Sequence, residues 1–199
     1  ADVETSQELI AANFPVDVSR IYSHQNEKWF ASWSKGLFVF HNNEFKNLNA
    51  TCEKLDSHIK DVCFSENGNI YVAQNNAEIF VCRFDSNGFK IIDSFDNKTG
   101  LTGNFVNWLA LDKNGNLLAA TDQGLNLIIH PENKRTRKIK FFDQNDGYLA
   151  LNSNLVKPDA DGNLWTNTEK GLMKINTDEL IEYHIADNLK IDSAIANYN

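Results

Sequence analysis

The chain is 199 residues long, 42% hydrophobic and 11% aromatic, which is enough apolar material to bury a core. Its formal net charge is −8, so its surface repels phosphate backbones and nucleic acid is not expected as a partner. No apolar run approaches the roughly 20 residues that span a bilayer, and Ala1-Asp2-Val3-Glu4 is acidic where a signal peptide would be basic, so no direct membrane contact is expected of this segment.

In chain order, four related units follow one another, at approximately 14–55, 56–99, 100–146 and 147–189. The first carries Trp29-Phe30-Ala31-Ser32 and then Gly36-Leu37, which align with Leu117-Leu118-Ala119-Ala120 and Gly124-Leu125 of the third. The second carries Ser65-Glu66-Asn67-Gly68-Asn69-Ile70-Tyr71-Val72-Ala73, and Ala77-Glu78 stands where the others have Gly-Leu. Cys52, Cys63 and Cys82 match no zinc spacing. They read as reduced thiols in apolar surroundings, with one bridge from Cys52 to Cys63 or Cys82 left open.

The third unit shows the pattern best. Val106 to Leu111 reads as a first strand, Leu117 to Thr121 as a second, Leu125 to His130 as a third and Lys138 to Phe142 as a fourth. Asn114-Gly115 between the first two signals a two-residue type I′ hairpin, which needs positive φ at both central residues. Lys134-Arg135-Thr136-Arg137-Lys138 reads as a solvated hairpin loop. The fourth unit repeats the third at a distance of 47 residues, from Gly115 to Gly162 and from Gly124-Leu125 to Gly171-Leu172. Between 100–132 and 147–179, 11 of 33 positions are identical, which makes a true internal repeat. Four short strands per repeat, with no 3.6-residue period anywhere, imply an all-β chain of about four antiparallel blades, a β-propeller. The residues expected to carry the repeat structurally are Gly68, Gly115, Asn116, Gly124, Asp159, Gly162, Asn163, Trp165 and Gly171. A run of blades that ends just where another would start is expected to be part of a larger propeller. Its partners would be the remaining blades or a second copy of the chain, a homodimer.

Asp159-Ala160-Asp161-Gly162-Asn163-Leu164-Trp165-Thr166-Asn167-Thr168-Glu169-Lys170-Gly171-Leu172 resembles the two-component regulator propeller repeat. Gly100-Leu101-Thr102-Gly103-Asn104-Phe105-Val106 is similar to the segment that precedes the first strand in that family. The resemblance implies a sensor region of a hybrid two-component regulator of the kind common in Bacteroidetes. It also implies a periplasmic location and a glycan-derived ligand that controls polysaccharide utilisation.

The site candidates follow from how propellers present loops. Loops between second and third strands, and between blades, are expected on one face. Trp33, Lys35, His58, Asn104, Asn152 and Asn154 are the ligand-binding candidates there, because amides, hydroxyls and an exposed indole suit an oligosaccharide. Asp159, Asp161 and Asn163 alternate like the start of a calcium loop, but Gly162 and Lys170 occupy positions that such a loop would not allow, and a structural turn is expected. His24, His41, His58, His130 and His184 show no ligand spacing, so neither metal nor cofactor is expected. Gly-x-Ser-x-Gly and phosphate-binding glycine patterns are absent, and no catalytic residue is assigned. A protein-interaction or dimerisation scaffold, and a propeller lyase or hydrolase, are the alternatives to a sensor.

Overall fold

The computed structural model describes residues 17–42, 44–148, 155–168 and 171–178. They fold as four antiparallel sheets in chain order, an all-β propeller-like array. The first sheet is β1 (Val18–His24), β2 (Glu27–Ser32), β3 (Leu37–His41) and β4 (Glu44–Asn47). The second is β5 (Ile59–Phe64), β6 (Ile70–Gln74), β7 (Ile79–Asp85) and β8 (Gly88–Phe95). The third is β9 (Val106–Leu111), β10 (Leu117–Thr121), β11 (Leu125–Ile129) and β12 (Lys138–Phe142). The fourth holds β13 (Val156–Pro158), β14 (Asn163–Thr168) and β15 (Gly171–Asn176) among the described residues.

The core lies between the blades. Successive side chains of a strand point to opposite faces. In β6, Ile70 and Val72 therefore pack with Trp29, Ala31, Leu37 and Val39 of the first blade. Tyr71 and Ala73 pack with Leu117 and Ala119 of the third. Leu118 and Ala120 in turn meet Val156, Leu164, Met173 and Ile175 of the fourth. Second strands are buried on both faces, which explains why Leu117-Leu118-Ala119-Ala120 is a continuous apolar run instead of an alternating one.

This packing corrects the alignment of the first blade. Trp29 and Ala31 face the following blade, as Tyr71 and Ala73 or Leu118 and Ala120 do. Trp29 therefore corresponds to Leu118, one residue on from the gapless match to Leu117. The extra residue lies in the turn. Ser32 N donates to Gly36 O across five residues, where Thr121 N donates to Gly124 O across four. In the second blade the same facing puts Ile79 where Leu37 and Leu125 stand, so Glu78-Ile79, and not Ala77-Glu78, replaces Gly-Leu.

The turn after the first strand also differs from expectation. Gly115 is left-handed at φ 77, but Asn114 is not among the positive-φ residues. Gly115 N donates to Asp112 O at 3.0 Å and Asp112 N to Asn116 O at 3.0 Å, so the loop is a four-residue turn closed by one left-handed glycine. The physical reason is Asp112. Its Oδ1 accepts from the N–H of Asn114 and of Asn116, both at 2.8 Å, so the side chain supplies what a type I′ backbone would. Asp159 repeats this, accepting from Asp161 N at 3.0 Å and Asn163 N at 2.8 Å. It also accepts from the Trp165 indole at 2.8 Å. Both carboxylate oxygens are thus used within the turn, the structural role that the sequence suggested for the Asp159–Asn163 pattern.

The three cysteines are free thiols, so the bridge left open from Cys52 is not formed. Cys82 lies inside the packing between the first two blades. Burial pushes the Cys63 thiol up to about 12. Arg137 departs from the solvated loop expected of the basic cluster. Its guanidinium donates to Asp93 at 2.7 Å and lies 4.6 Å over the Phe95 ring, tying the third blade to the second.

Candidate functional site

Two features stand out, a loop rim and the axis that it encircles. The rim is built by a hydrogen bond repeated in the first three blades. The residue before each first strand accepts from the turn between second and third strands: Asp17 O from Trp33 N, His58 O from Asn75 N, Phe105 O from Asp122 N. Blades are then stitched to their successors, with Gly36 N donating to Ser57 O at 2.8 Å and Val106 N to Asn76 O at 3.2 Å. The loops expected on one face therefore do meet there in these blades.

Trp33 projects from this rim, 44% exposed. Its ring meets that of His58 edge-on at 5.4 Å, and Lys60 Nζ lies 4.8 Å from its centre. Lys60 reaches the rim because β5 is irregular between Ile59 and Asp61, an irregularity repeated between Val18 and Arg20 in β1. Phe105, 45% exposed, stands beside Asn104 on the third blade. Asn104 itself is held locally. Its Nδ2 donates to Asp122 Oδ2 at 2.9 Å, and its N–H and that of Phe105 donate to Asp122 Oδ1 at 2.7 and 3.1 Å. Partial burial pushes the Asp122 carboxyl up, but these bonds hold it below its ordinary range.

Of the sequence candidates, the structure brings Trp33 and His58 together. Lys35 is exposed, with its backbone N–H on Ser32 Oγ at 2.9 Å and its carbonyl accepting from Asn47. Asn104 belongs to the Asp122 turn, while Asn152 and Asn154 lie outside the described residues. Sequence reasoning passed over Lys60 and Phe105. An apolar residue in a loop was the available signal for Phe105. Lys60 carried none, because its direction depends on the strand irregularity.

The axis is a cleft of about 640 Å³ lined by the first strands of all four blades. Its deepest polar group is Asp61, which joins three blades. Arg20 Nη1 lies 2.8 Å from Asp61 Oδ1, and the Tyr22 hydroxyl donates to the same oxygen at 2.6 Å. The N–H of Leu109 donates to Oδ2 at 2.7 Å. Burial pushes the Asp61 carboxyl up against the pull of Arg20, and burial beside Asp61 raises the Tyr22 hydroxyl strongly. Arg20 Cζ also lies 3.7 Å over the Trp108 ring, and Lys157 Nζ lies 5.2 Å from the same ring. Charged residues inside otherwise strand-like first strands were visible in the sequence. Only the assembled array shows that they converge. Among the described residues, no group of three or more His, Cys, Asp or Glu side chains could hold a metal ion.

No family model matches the sequence, and no curated protein does. Solved structures match its fold. The extracellular domain of the hybrid two-component system protein BT3049 from B. thetaiotaomicron superposes with a TM-score of 0.66 at 17% identity, over 82% of this chain and 22% of that one. PorZ, a surface component of the type-IX secretion system of Porphyromonas gingivalis, gives 0.59 at 15% identity, over 84% and 26%. The WD40 β-propeller domain of Doa1 gives 0.55 at 14% identity, over 75% and 46%. The chain thus spans less than half the length of each of these three structures. Likeness at these identities establishes the propeller fold.

Proposed function

We propose that this chain is a ligand-binding part of an extracytoplasmic sensor propeller, in a signalling protein of the hybrid two-component kind, and that its ligand is a glycan fragment bound on the loop rim. The observation that carries the reading is Trp33. An indole left 44% exposed on a loop, with Lys60 over its ring and His58 beside it, offers apolar ring surface for a sugar and neighbouring donors for hydroxyls. The fold likeness to an extracellular two-component domain and the repeat pattern of Asp159–Leu172 support the class of protein and its place outside the cytoplasmic membrane. In this reading the segment carries no catalytic residue. Asp61, the acid at the axis, is held by its ion pair with Arg20 and by two donors, the Tyr22 hydroxyl and the Leu109 N–H, as an element of structure.

The test is calorimetric titration of the chain with neutral malto-, xylo- and manno-oligosaccharides, alongside Trp33→Ala. Saturable binding to one series is expected, weakened about tenfold or more in the variant with an unchanged melting temperature. No binding to any series, or equal binding by Trp33→Ala, would overturn the reading. A second reading, a surface for further blades or a second copy, has its own support. Ile21 is 65% exposed on the face of the first sheet turned away from the second, and Leu172 is 62% exposed on the face of the fourth turned away from the third. It predicts a solution mass that rises with concentration.

A further inference from the structure

The axial cleft has an unusual charge. The whole chain carries −8, yet among the described residues that line the cleft Asp61 is the only acid, against Arg20 and Lys157. Asp61 is consumed by Arg20, Tyr22 and Leu109 N–H. Lys157 has no carboxylate partner among the described residues, although 27 acids are available to the chain. Each cation lies against the same ring, Trp108, at 3.7 and 5.2 Å, a contact that neutralises neither. A cation without an acid beside it, in a cleft whose one carboxylate is already used, is stabilised by a bound anion.

We propose that the axial cleft binds a small carboxylate-bearing ligand, a sugar acid of one or two rings, with its carboxylate on Lys157. The cleft volume of about 640 Å³ falls within the range of small-molecule sites. Arg20 is fixed in the wall of the same cleft by Asp61, by the Asn107 carbonyl at 3.5 Å and by stacking on Trp108, so it adds positive charge there without being free to move. Lys157 reaches the ring from β13, so the ligand would join the fourth blade to the first. This site is separate from the Trp33 rim and does not rest on it.

The experiment is calorimetric titration of the chain with glucuronate and digalacturonate, with glucose and maltose as neutral counterparts and acetate as the bare carboxylate. The variants are Lys157→Ala, Lys157→Arg and Trp33→Ala. Expected are binding of the uronates and not of their neutral counterparts, weakening by about tenfold or more in Lys157→Ala, and recovery in Lys157→Arg. Binding should also weaken in 0.5 M salt and be unchanged in Trp33→Ala. Weak binding of acetate with the same dependence on Lys157 would support the carboxylate contact and assign the remaining affinity to the sugar ring. Failure of the uronates to bind, equal binding of acidic and neutral sugars, or indifference to Lys157→Ala would each overturn the proposal. Loss of uronate binding in Trp33→Ala alone would transfer it to the rim.

Discussion

Asp159 does two things with one carboxylate. It closes the turn by accepting from Asp161 and Asn163, and it anchors the indole of Trp165. The Trp165 and Asn163 side-chain bonds favour the ionised form and hold its carboxyl at about 2. A carboxyl depressed in the folded state contributes stability that is present above the ordinary carboxylate range and lost as pH falls through the folded value. The Asp159 carboxyl should therefore titrate near pH 2 in a carbon-detected NMR experiment, and the Trp165 indole proton should shift with the same midpoint. In Asp159→Asn that transition should vanish while the chain still folds. A titration in the ordinary carboxylate range would contradict the bonding described. The repeat of Asp, Gly and Asn was legible in the sequence as a turn. Its type was not, because Asn-Gly alone cannot reveal that a preceding Asp will supply the bonds.

At the level of strands and turns, the third blade was readable nearly to the residue, since its four strands are separated by Gly, Asn and Pro and each is short. The first blade was read one residue out along β2. Period-two alternation makes such a slip consequential, because it turns every side chain to the opposite face. Only the packing of Trp29 on the second blade, and the five-residue turn from Ser32 to Gly36, reveals the shift. The turn glycines give a graded test. Gly124 has φ +153, and a Cβ there would lie 2.3 Å from the Phe142 carbonyl oxygen. Gly68 has φ +80 with open space around it. Gly68→Ala should cost about 1 kcal/mol from backbone conformation alone. Gly124→Ala should cost about 2–3 kcal/mol, since the β11–β12 pairing must also yield. Urea unfolding checks the order, and equal costs would mean that the close approach of Gly124 to β12 is not rigid.

The whole molecule is held by contacts between blades, so its stability is a chain of neighbour interfaces. Asp61 is the exception, for it links the first, second and third blades at once. Asp61→Ala should cost about 3–5 kcal/mol in urea unfolding, because it strands Arg20 beside Trp108 and leaves Tyr22 and the Leu109 N–H without an acceptor. Asp61→Asn should cost less, since the amide oxygen can still accept. If Asp61→Ala unfolded like the parent chain, the carboxylate would not be the inter-blade tie described.

The amino-acid sequence by itself determined the repeat, the all-β class, the positions of most strands and the turn residues. These follow from local chemistry: which residues tolerate a left-handed turn and which fit a pleated sheet buried on both faces. It also singled out Trp33 and His58, from loops that a propeller gathers on one rim. Only the tertiary structure decided that Arg20, Asp61, Trp108 and Lys157 share one cleft, because they stand on four different first strands up to 137 positions apart in the chain. It also decided that Lys60, and not Lys35, lies over the Trp33 ring, from a position where β5 is irregular. Convergence of side chains from separate blades depends on how the sheets are arranged about an axis, and no local pattern in the sequence encodes that distance.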